Sequence, residues 1–137
     1  MHFSTDSNIP LNQLVNLYND VGWSNYTTNP TKLKEAIINS LHVLSLWENE
    51  KLIGLIRTVG DGVSIIYIQD ILILKPFQNK GLGSQLLTTI LNKYQNVMQV
   101  VLLTDNTDKT RHFYEKYGLF SNDKYHTVAF MLFRHTL

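Results

Sequence analysis

The spacing of apolar positions changes several times along the chain, and each change predicts a new element. Apolar side chains recur at helical spacing over residues 10–18 and again over residues 30–41. The second helix is introduced by Asn29-Pro30, a typical N-cap followed by a typical first helical residue. The aromatic segment between the two helices, VGWSNYTT, is predicted to be a loop. The chain therefore begins with two helices.

Strands and helices alternate over the rest of the chain. Two strands, residues 42–47 and 52–59, flank a hairpin turn, and residues 63–74 form an unusually apolar third strand. An apolar run of that length predicts a central strand that is buried on both faces. The remaining elements are a helix over residues 80–94, a strand over 97–103, a helix over 107–117 that ends at Gly118, and a strand over 126–133.

The order of these elements predicts the fold class. The early hairpins are antiparallel, whereas the strand–helix–strand unit of residues 63–103 should be parallel with a right-handed crossover. The sheet is therefore mixed, and the fold is α/β but not doubly wound. A length of 137 residues suits one core, and no repeat, linker or low-complexity tract divides the chain. Residues 1–137 are predicted to form a single domain.

Composition narrows the choice of partners and chemistry. A formal charge of +1 gives no reason to expect nucleic acid or a membrane surface as a partner. The chain has no cysteine, which excludes disulfides, thiolate ligands and a cysteine nucleophile. The five histidines show no pairing at metal-ligand spacing, so no metal site is expected. Neither a secretory signal nor an apolar run long enough to span a bilayer is found, and a cytoplasmic protein is expected.

The stretch LKPFQNKGLGSQLL joins the apolar third strand to the following helix. A helix N-terminus presents unpaired N–H groups and a partial positive charge, and glycine lets a bulky anion approach the backbone. The turn from Gln78 to Gly83, with Lys75 and Lys80 in it or beside it, could therefore hold a phosphate or pyrophosphate. It fits neither the P-loop nor the dinucleotide-binding fingerprint. The alternative is that Gly81 and Gly83 only permit close packing of the strand and the helix.

Two motifs resemble those of the GCN5-related N-acetyltransferases, the GNAT superfamily. QNKGLG (78–83) matches the superfamily signature Q/R-x-x-G-x-G/A, and the similarity continues upstream through IQDILILKPF and downstream through SQLL. TDNTDKTRHFYEKYGLF (104–120) resembles a later motif in which a helix carries Phe-Tyr and ends at Gly-Phe, with Leu119 as a one-residue departure. The resemblance implies the acyl-CoA N-acyltransferase fold, a mixed central sheet flanked by helices on both faces.

The resemblance also implies acetyl-CoA as the acetyl donor, and it implies a set of binding residues. The glycine turn would bind the coenzyme A pyrophosphate through backbone N–H groups. The end of the preceding strand would splay from its neighbour, and its main chain would pair with pantetheine and with the thioester carbonyl. Asn106 would contact coenzyme A or would simply start a helix. The implied positions are Ile71, Leu72, Ile73, Gln78, Asn79, Lys80, Gly81, Leu82, Gly83 and Asn106.

Two side chains are candidates for catalysis of direct acetyl transfer to an amine. Tyr114 matches the superfamily tyrosine that protonates the departing thiolate, although a tyrosine beside Phe113 on a short helix also suits a core position. Asp70 is the only carboxylate in the apolar third strand. It could take the amine proton, directly or through water, or hold a cationic substrate. Alternatively it pairs with Arg57 on the neighbouring strand.

The resemblance implies that the first two helices and their loop build the acceptor side. Tyr18, Trp23, Tyr26 and Tyr67 could form an aromatic wall for an arylalkylamine or a cation–π site for a polyamine, or could simply pack. The predicted activity is N-acetylation of a small primary amine. A non-catalytic acyl-CoA-binding or sensing module is an alternative, as is an acetyltransferase that acts on protein lysines or N-termini. Homodimers are common in the superfamily, and exposed edge strands offer a route to one.

Overall fold

A computed structural model describes residues 1–134 of the chain. The strands are β1 (His2–Ser4), β2 (His42–Glu48), β3 (Lys51–Gly60), β4 (Ile65–Ile73) and β5 (Gln99–Leu102). The α-helices are α1 (Leu11–Asp20), α2 (Ser24–Thr27), α3 (Pro30–Ile38), α4 (Leu82–Lys93) and α5 (Asp108–Glu115). Short 3₁₀ helices cover Lys75–Phe77 and Asn122–Tyr125. None of the helices in these residues is long and apolar enough to cross a membrane.

The strands form one sheet in the order β1-β2-β3-β4-β5. The first three pairings are antiparallel, and β4 pairs with β5 in parallel, with α4 as the connection. The mixed sheet, its antiparallel hairpins and its parallel strand–helix–strand unit are therefore confirmed. The apolar pattern did not predict β1, because three residues are too few to show a period of two. It also did not predict α2, a single turn inside the predicted loop.

The sheet carries helices on both faces. Tyr18 of α1 donates a hydrogen bond to Asp70, which also contacts Arg57 of β3. A Cβ placed on Gly54 of β3 would lie 3.6 Å from Leu86 of α4. Positions 54 and 57 are an odd number of residues apart, so their side-chain directions lie on opposite sides of the strand. The helices α1 and α4 therefore cover opposite faces, as the fold class predicts.

The strand that is buried on both faces is β3, not β4. Residues 52–58 of β3 are all buried, because this strand lies in the middle of the sheet between two helical layers. In β4, by contrast, Tyr67 and Ile71 are only partly buried and Gln69 is exposed. The prediction that residues 63–74 form the strand buried on both faces was therefore wrong. An apolar run indicates that a strand is largely buried. It does not indicate how far the neighbouring strands and helices extend along it, and this decides which residues are exposed.

The described chain falls into two compact units, one of residues Met1–Leu102 and a second that begins at Leu103. The second unit contains α5, whose N-cap is Thr107 and which ends shortly before Gly118. Gly118 has a φ of 85°, a left-handed conformation that glycine adopts without strain. The predicted helix stop is therefore confirmed. The prediction of one domain over residues 1–137 stays a prediction.

The predicted strand over residues 126–133 was wrong, because no strand follows Leu102 among the residues that the structure describes. The apolar side chains of this segment are 68% to 91% exposed: Val128, Phe130, Met131, Leu132 and Phe133. A strand needs a neighbour whose main chain completes its hydrogen bonds, and β-forming residues do not by themselves supply that neighbour. The residue types of this segment therefore indicated a strand, but within residues 1–134 the segment has no strand to pair with.

Candidate active site

Among the described residues, the carboxyl-terminal half of β4 has a strand partner on one side only. Its parallel pairing with β5 ends at Ile68 and Leu102. On the other side, β4 stays paired with β3 as far as Ile73. Within the described residues, the edge of β4 that faces away from β3 is therefore open along residues 69–73. The pairing ends where β5 itself ends, at Leu102.

Main-chain groups along this open edge alternate in direction. The N–H of Leu74 donates to the carbonyl of Ile53, which precedes Gly54 in β3, at 2.9 Å. In an antiparallel pair every second residue bonds across the same ladder, so Leu72 also faces β3 while Ile71 and Ile73 face the open edge. Of the three predicted positions, Ile71 and Ile73 therefore face the open edge, and Leu72 belongs to the ladder with β3.

The turn after β4 presents a run of unpaired N–H donors. Asn79 and Gly81 have φ values of 62° and 78°, and Gly81 is the N-cap of α4 without a side-chain cap. No group in residues 1–134 accepts a hydrogen bond from the N–H groups of residues 79–84. A Cβ on Gly81 would meet nothing within 4 Å, so the space beside the turn is open. Backbone donors at a helix N-terminus, facing open space, fit the pyrophosphate of acetyl-CoA.

Two side chains hold this turn against neighbouring elements. Gln78 donates from Nε2 to the carbonyl of Ile73 at 2.9 Å, and its own N–H donates to Lys75. Asp20, the last residue of α1, accepts from the N–H of Lys75 at 2.7 Å. Gln78 is a predicted coenzyme A ligand, but its backbone N–H and its side-chain amide both donate to other groups of the chain. Asp20 was not predicted, because nothing in the sequence spacing connects α1 with a turn so far along the chain.

Asp70 lies in a buried cluster on the α1 face of the sheet. Its Oδ2 accepts from Arg57 Nε at 2.5 Å and from the Tyr18 hydroxyl at 2.9 Å, and its Oδ1 accepts from the Tyr26 hydroxyl at 2.7 Å. Arg57 also donates to Ser40 at 3.3 Å. The side chains of Arg57 and Asp70 are only 7% and 2% exposed. Of the alternatives that the sequence left open for Asp70, the structure contains the ion pair with Arg57.

Burial and charge shift the ionisation of this cluster. Burial, and then the negative charge of Asp70, raise the pKa of Tyr18 well above its ordinary value. The same two causes raise the pKa of Tyr26. Burial acts to lower the pKa of Arg57, but Asp70 and the two phenols outweigh it, and the pKa is raised. Both phenols therefore stay protonated and Arg57 stays charged at neutral pH and into the alkaline range.

A β-bulge in β4 places Gln69 beside the same cluster. The register between β3 and β4 slips by one residue here, and Gln69 is the residue without a partner in β3. Consecutive strand residues normally point to opposite faces, but a bulge re-aims one of them. Gln69 Nε2 donates to the Tyr26 hydroxyl at 3.1 Å, so Gln69 and Asp70 contact the same phenol. Gln69 was not predicted, although two consecutive polar residues in an apolar strand are a signal for such a bulge.

The aromatic residues predicted for the acceptor side differ in accessibility. Tyr18 is 0% exposed, which makes it part of the core. Trp23 and Tyr26 are partly buried, with ring centroids 6.2 Å apart, and the Tyr18 ring lies 5.0 Å from that of Tyr26. Tyr67 is partly buried on β4, where it pairs with Val101 of β5. The structure therefore brings Tyr18, Trp23 and Tyr26 together, and the hydroxyls of the two tyrosines bond to Asp70.

Tyr114 and Asn106 lie in the second compact unit. Tyr114, on α5, is 9% exposed, and its ring centroid lies 5.0 Å from that of Phe113. Burial raises the pKa of Tyr114 to about 12, so its hydroxyl is protonated at neutral pH. Asn106 accepts from Arg111 Nε at 2.8 Å, and the N-cap of the helix is Thr107. Asn106 is therefore not the residue that caps α5.

A metal centre and a surface pocket are two other kinds of candidate site. In the part of the chain that the structure describes, no group of three His, Asp or Glu side chains could hold a metal ion. His135, one of the histidines in the sequence, lies outside the described residues. A shallow depression at α1 and α3 is lined by Leu11, Thr31, Lys34, Glu35, Ile38 and Asn39. This depression includes none of the predicted site residues, so it is separate from the glycine turn and from the cluster around Asp70.

Related sequences point to one family. The model of the acetyltransferase (GNAT) domain matches residues 12–129. A ycf52-like N-acetyltransferase of Prochlorococcus marinus is 33% identical over 109 residues, which cover 75% of this chain and 59% of that protein. The ycf52 N-acetyltransferase of Gracilaria tenuistipitata var. liui is 30% identical over 128 residues, which cover 89% of this chain and 68% of that protein. The chain thus spans less than two thirds of the length of the Prochlorococcus relative.

Solved structures share the fold. A GNAT-family acetyltransferase from Streptococcus pneumoniae TIGR4 has a TM-score of 0.85 and 29% identity, with 97% of each chain covered. The PaiA N-acetyltransferase of Thermoplasma acidophilum, solved in complex with coenzyme A, has a TM-score of 0.67 and 14% identity, covering 86% of this chain and 89% of that one. At 14% identity the likeness shows the fold alone. The family model, the fold and the glycine turn agree, and the chain belongs to the GNAT acetyltransferase family.

Proposed function

We propose that this protein transfers the acetyl group of acetyl-CoA directly to a small primary amine. The observation that carries the proposal is the run of unpaired N–H donors at residues 79–84, directly after the open end of β4. An anion such as pyrophosphate is bound well by backbone donors at a helix N-terminus. The open edge of a strand accepts the amide groups of a pantetheine arm in the way it would accept another strand.

The same geometry supports an assignment of roles on the donor side. The N–H groups of Asn79, Lys80, Gly81, Leu82 and Gly83 would bind the pyrophosphate, and Gln78 would hold the turn in place. The main-chain groups of Ile71 and the N–H of Ile73 would face the pantetheine arm and the thioester carbonyl, whereas the carbonyl of Ile73 accepts from Gln78. A fixed N–H aimed at that carbonyl stabilises negative charge that develops during attack, most strongly where water is excluded. Asn106 is a further candidate for contact with coenzyme A.

Asp70 is assigned to the acceptor side in this proposal. Its two oxygens accept three hydrogen bonds from Arg57, Tyr18 and Tyr26, which leaves it poorly placed to take a proton from substrate. We infer that Asp70 holds Tyr26 in position and that the amine loses its proton to solvent water. The alternative role, in which Asp70 is the base, requires an acidic limb in the rate profile that disappears in Asp70→Asn.

Tyr114 is proposed as the acid that protonates the departing thiolate. Replacing Tyr114 with phenylalanine should lower kcat by about 100-fold, a typical contribution of general acid catalysis, with the Kd for acetyl-CoA unchanged. Because burial raises the pKa of Tyr114 to about 12, the wild-type rate should show no alkaline decline from this group below about pH 11. Steady-state rates and calorimetric binding test both statements. Unchanged kcat in Tyr114→Phe would make this tyrosine a packing residue.

The test of the proposed function separates it from its two alternatives. Calorimetric titration with acetyl-CoA and with free coenzyme A, followed by a thiol-release assay with small amines and with a lysine-containing peptide, is the experiment. Binding of both ligands and thiol release with small amines is the expected result. Binding without release for any acceptor would favour a non-catalytic acyl-CoA-binding module. Release with the peptide alone would favour a protein acetyltransferase, and no binding would remove the proposal.

We also propose that the chain forms a homodimer through the exposed apolar segment of residues 128–133. An apolar surface of this kind, with side chains 68% to 91% exposed, is typical of an interaction site. Light scattering should give the mass of a dimer for the wild type and of a monomer for Phe130→Ser. The matched control is Val63→Ser, which changes a single apolar residue that is 76% exposed. A monomeric wild type would contradict the proposal.

A further inference from the structure

Beside the buried cluster, the amide oxygen of Gln69 has no hydrogen-bond partner within residues 1–134. The Tyr26 hydroxyl has a single hydrogen, which it donates to Asp70 Oδ1 at 2.7 Å. Toward Gln69 it can therefore only accept, which requires the Gln69 Nε2 to face the phenol and the Oε1 to face away. No donor in residues 1–134 reaches Gln69 Oε1, and the residue is exposed. An amide oxygen is thus held in a fixed direction with its lone pairs available.

The position of this amide is set by the bulge. Gln69 directly follows Ile68, the last residue of β4 that pairs with β5. It is followed, two residues on, by Ile71, whose main chain faces the open edge. The buried ion pair between Arg57 and Asp70 fixes the phenol that in turn fixes Gln69. The hydrogen bond to Tyr26 restrains the Gln69 side chain and favours one orientation of its amide.

The charges around Gln69 restrict the kind of amine that it can bind. The guanidinium carbon of Arg57 lies 5.9 Å from the centroid of the Tyr26 ring. The carboxylate of Asp70 is 2% exposed and is already paired. The buried ion pair carries no net charge, and this cluster offers the second ammonium of a polyamine no accessible carboxylate. A substrate with one amine, which reacts in its neutral form, needs no such carboxylate.

The aromatic rings supply the second part of the recognition. Trp23 and Tyr26 are partly exposed neighbours, with ring centroids 6.2 Å apart. A third ring packs against them offset or edge-on, which favours an aryl group over a simple alkyl chain. Tyr26 therefore has an aromatic neighbour, Trp23, beside its ring and an amide, Gln69, at its hydroxyl. The arrangement therefore matches an aryl group joined to a primary amine by a short alkyl chain.

Resting on the acetyl transfer proposed above, we propose that Gln69 Oε1 accepts a hydrogen bond from the attacking nitrogen of an arylalkylamine whose ring packs on Trp23 and Tyr26. The nitrogen lone pair then forms the bond to the thioester carbon while the C–S bond breaks. One proton leaves the nitrogen to solvent water, and the thiolate gains one from Tyr114, which solvent reprotonates. Gln69 and Tyr26 are specificity-determining residues, and Asp70 is a positioning residue.

The test measures thiol release with 2-phenylethylamine for the wild type, Gln69→Leu and Gln69→Glu. Gln69→Leu should raise the KM for 2-phenylethylamine about tenfold, the equivalent of one hydrogen bond, with the KM for acetyl-CoA and the Tm unchanged. The matched control is Gln99→Leu, an exposed glutamine on β5, which should change neither KM. Hexylamine should be a poorer substrate than 2-phenylethylamine, because it lacks the ring.

Gln69→Glu gives a readout that a merely structural residue would not change. A carboxylate at this position stabilises the ammonium form of the substrate, beside Asp70, Arg57, Tyr18 and Tyr26. The pKa of the bound amine is then raised, and the rise of kcat with pH should move to higher pH. Unchanged amine KM in Gln69→Leu, or no turnover of 2-phenylethylamine by a protein that binds acetyl-CoA, would overturn this inference while leaving acetyl transfer intact. Failure to bind acetyl-CoA would instead remove the proposed function on which it rests.

Discussion

Replacing Gly81 with valine should weaken acetyl-CoA binding by at least about 100-fold, the equivalent of losing two charge-assisted hydrogen bonds. Gly81 has a φ of 78°, and the space where its Cβ would lie is open. A branched side chain there would occupy the position proposed for the pyrophosphate and would turn the following N–H groups away from it. Calorimetric titration with acetyl-CoA measures the loss. Wild-type affinity in this variant would show that the turn does not bind the pyrophosphate.

The matched control for this variant is Gly22→Val. Gly22 has a φ of 80° and likewise has nothing within 4 Å of its Cβ position. Valine should therefore cause the same backbone strain at both sites, about 1–2 kcal/mol for a left-handed residue. Thermal unfolding should show similar losses for the two variants, with acetyl-CoA binding lost in only one. Equal loss of binding in both would indicate that strain, and not the occupied site, is the cause.

Replacing Arg57 with methionine should lower the free energy of unfolding by about 3–5 kcal/mol, because it leaves a buried carboxylate without its counter-ion. Arg57 and Asp70 have side chains that are 7% and 2% exposed, so solvent cannot compensate for the lost partner. The expected loss is a large share of the roughly 5–15 kcal/mol that stabilises a typical domain. Urea unfolding measures it. A loss below about 1 kcal/mol would show that the pair contributes no more than an exposed one.

A double variant distinguishes the buried charge from lost packing. Arg57→Met with Asp70→Asn removes both charges, and the asparagine oxygen can still accept from Tyr18 or Tyr26. This variant should be more stable than Arg57→Met alone, by about 1 kcal/mol or more. Arg111→Met is the exposed control and should change stability by less than about 0.5 kcal/mol. A double variant less stable than the single one would indicate that packing dominates.

Local signals in the sequence were sufficient for most elements of the fold. The spacing of apolar residues predicted α1, α3 and α4 to within a few residues, because one helix face must be buried. The glycine turn was recognised because Gly81 and Gly83 follow an apolar strand and open a helix, a context that few other functions share. The elements α2 and β1 are too short to show a period, so the apolar pattern did not predict them.

The candidate site was only partly predictable. Asp70 was singled out because a carboxylate in an apolar strand needs a partner, and Arg57 was named as one of the alternatives. The hydrogen bonds from Tyr18 and Tyr26 come from residues far away in the sequence. Gln69 was overlooked, because the one-residue slip that turns it toward Tyr26 depends on pairing with β3. Contacts of this kind follow from tertiary packing and leave little trace in local pattern.

The sequence by itself determined the class of this protein: a mixed α/β sheet with a glycine turn at the start of a helix, in the GNAT family. These features depend on residue types and on spacings of a few residues. Local sterics and the burial of one face relate such patterns directly to helices, strands and turns. Only the tertiary structure decided that β4 loses its β5 partner after Ile68, that Asp70 pairs with Arg57, and that residues 126–133 form no strand. Pairing and ion partners join distant parts of the chain, so they are settled only when those parts meet.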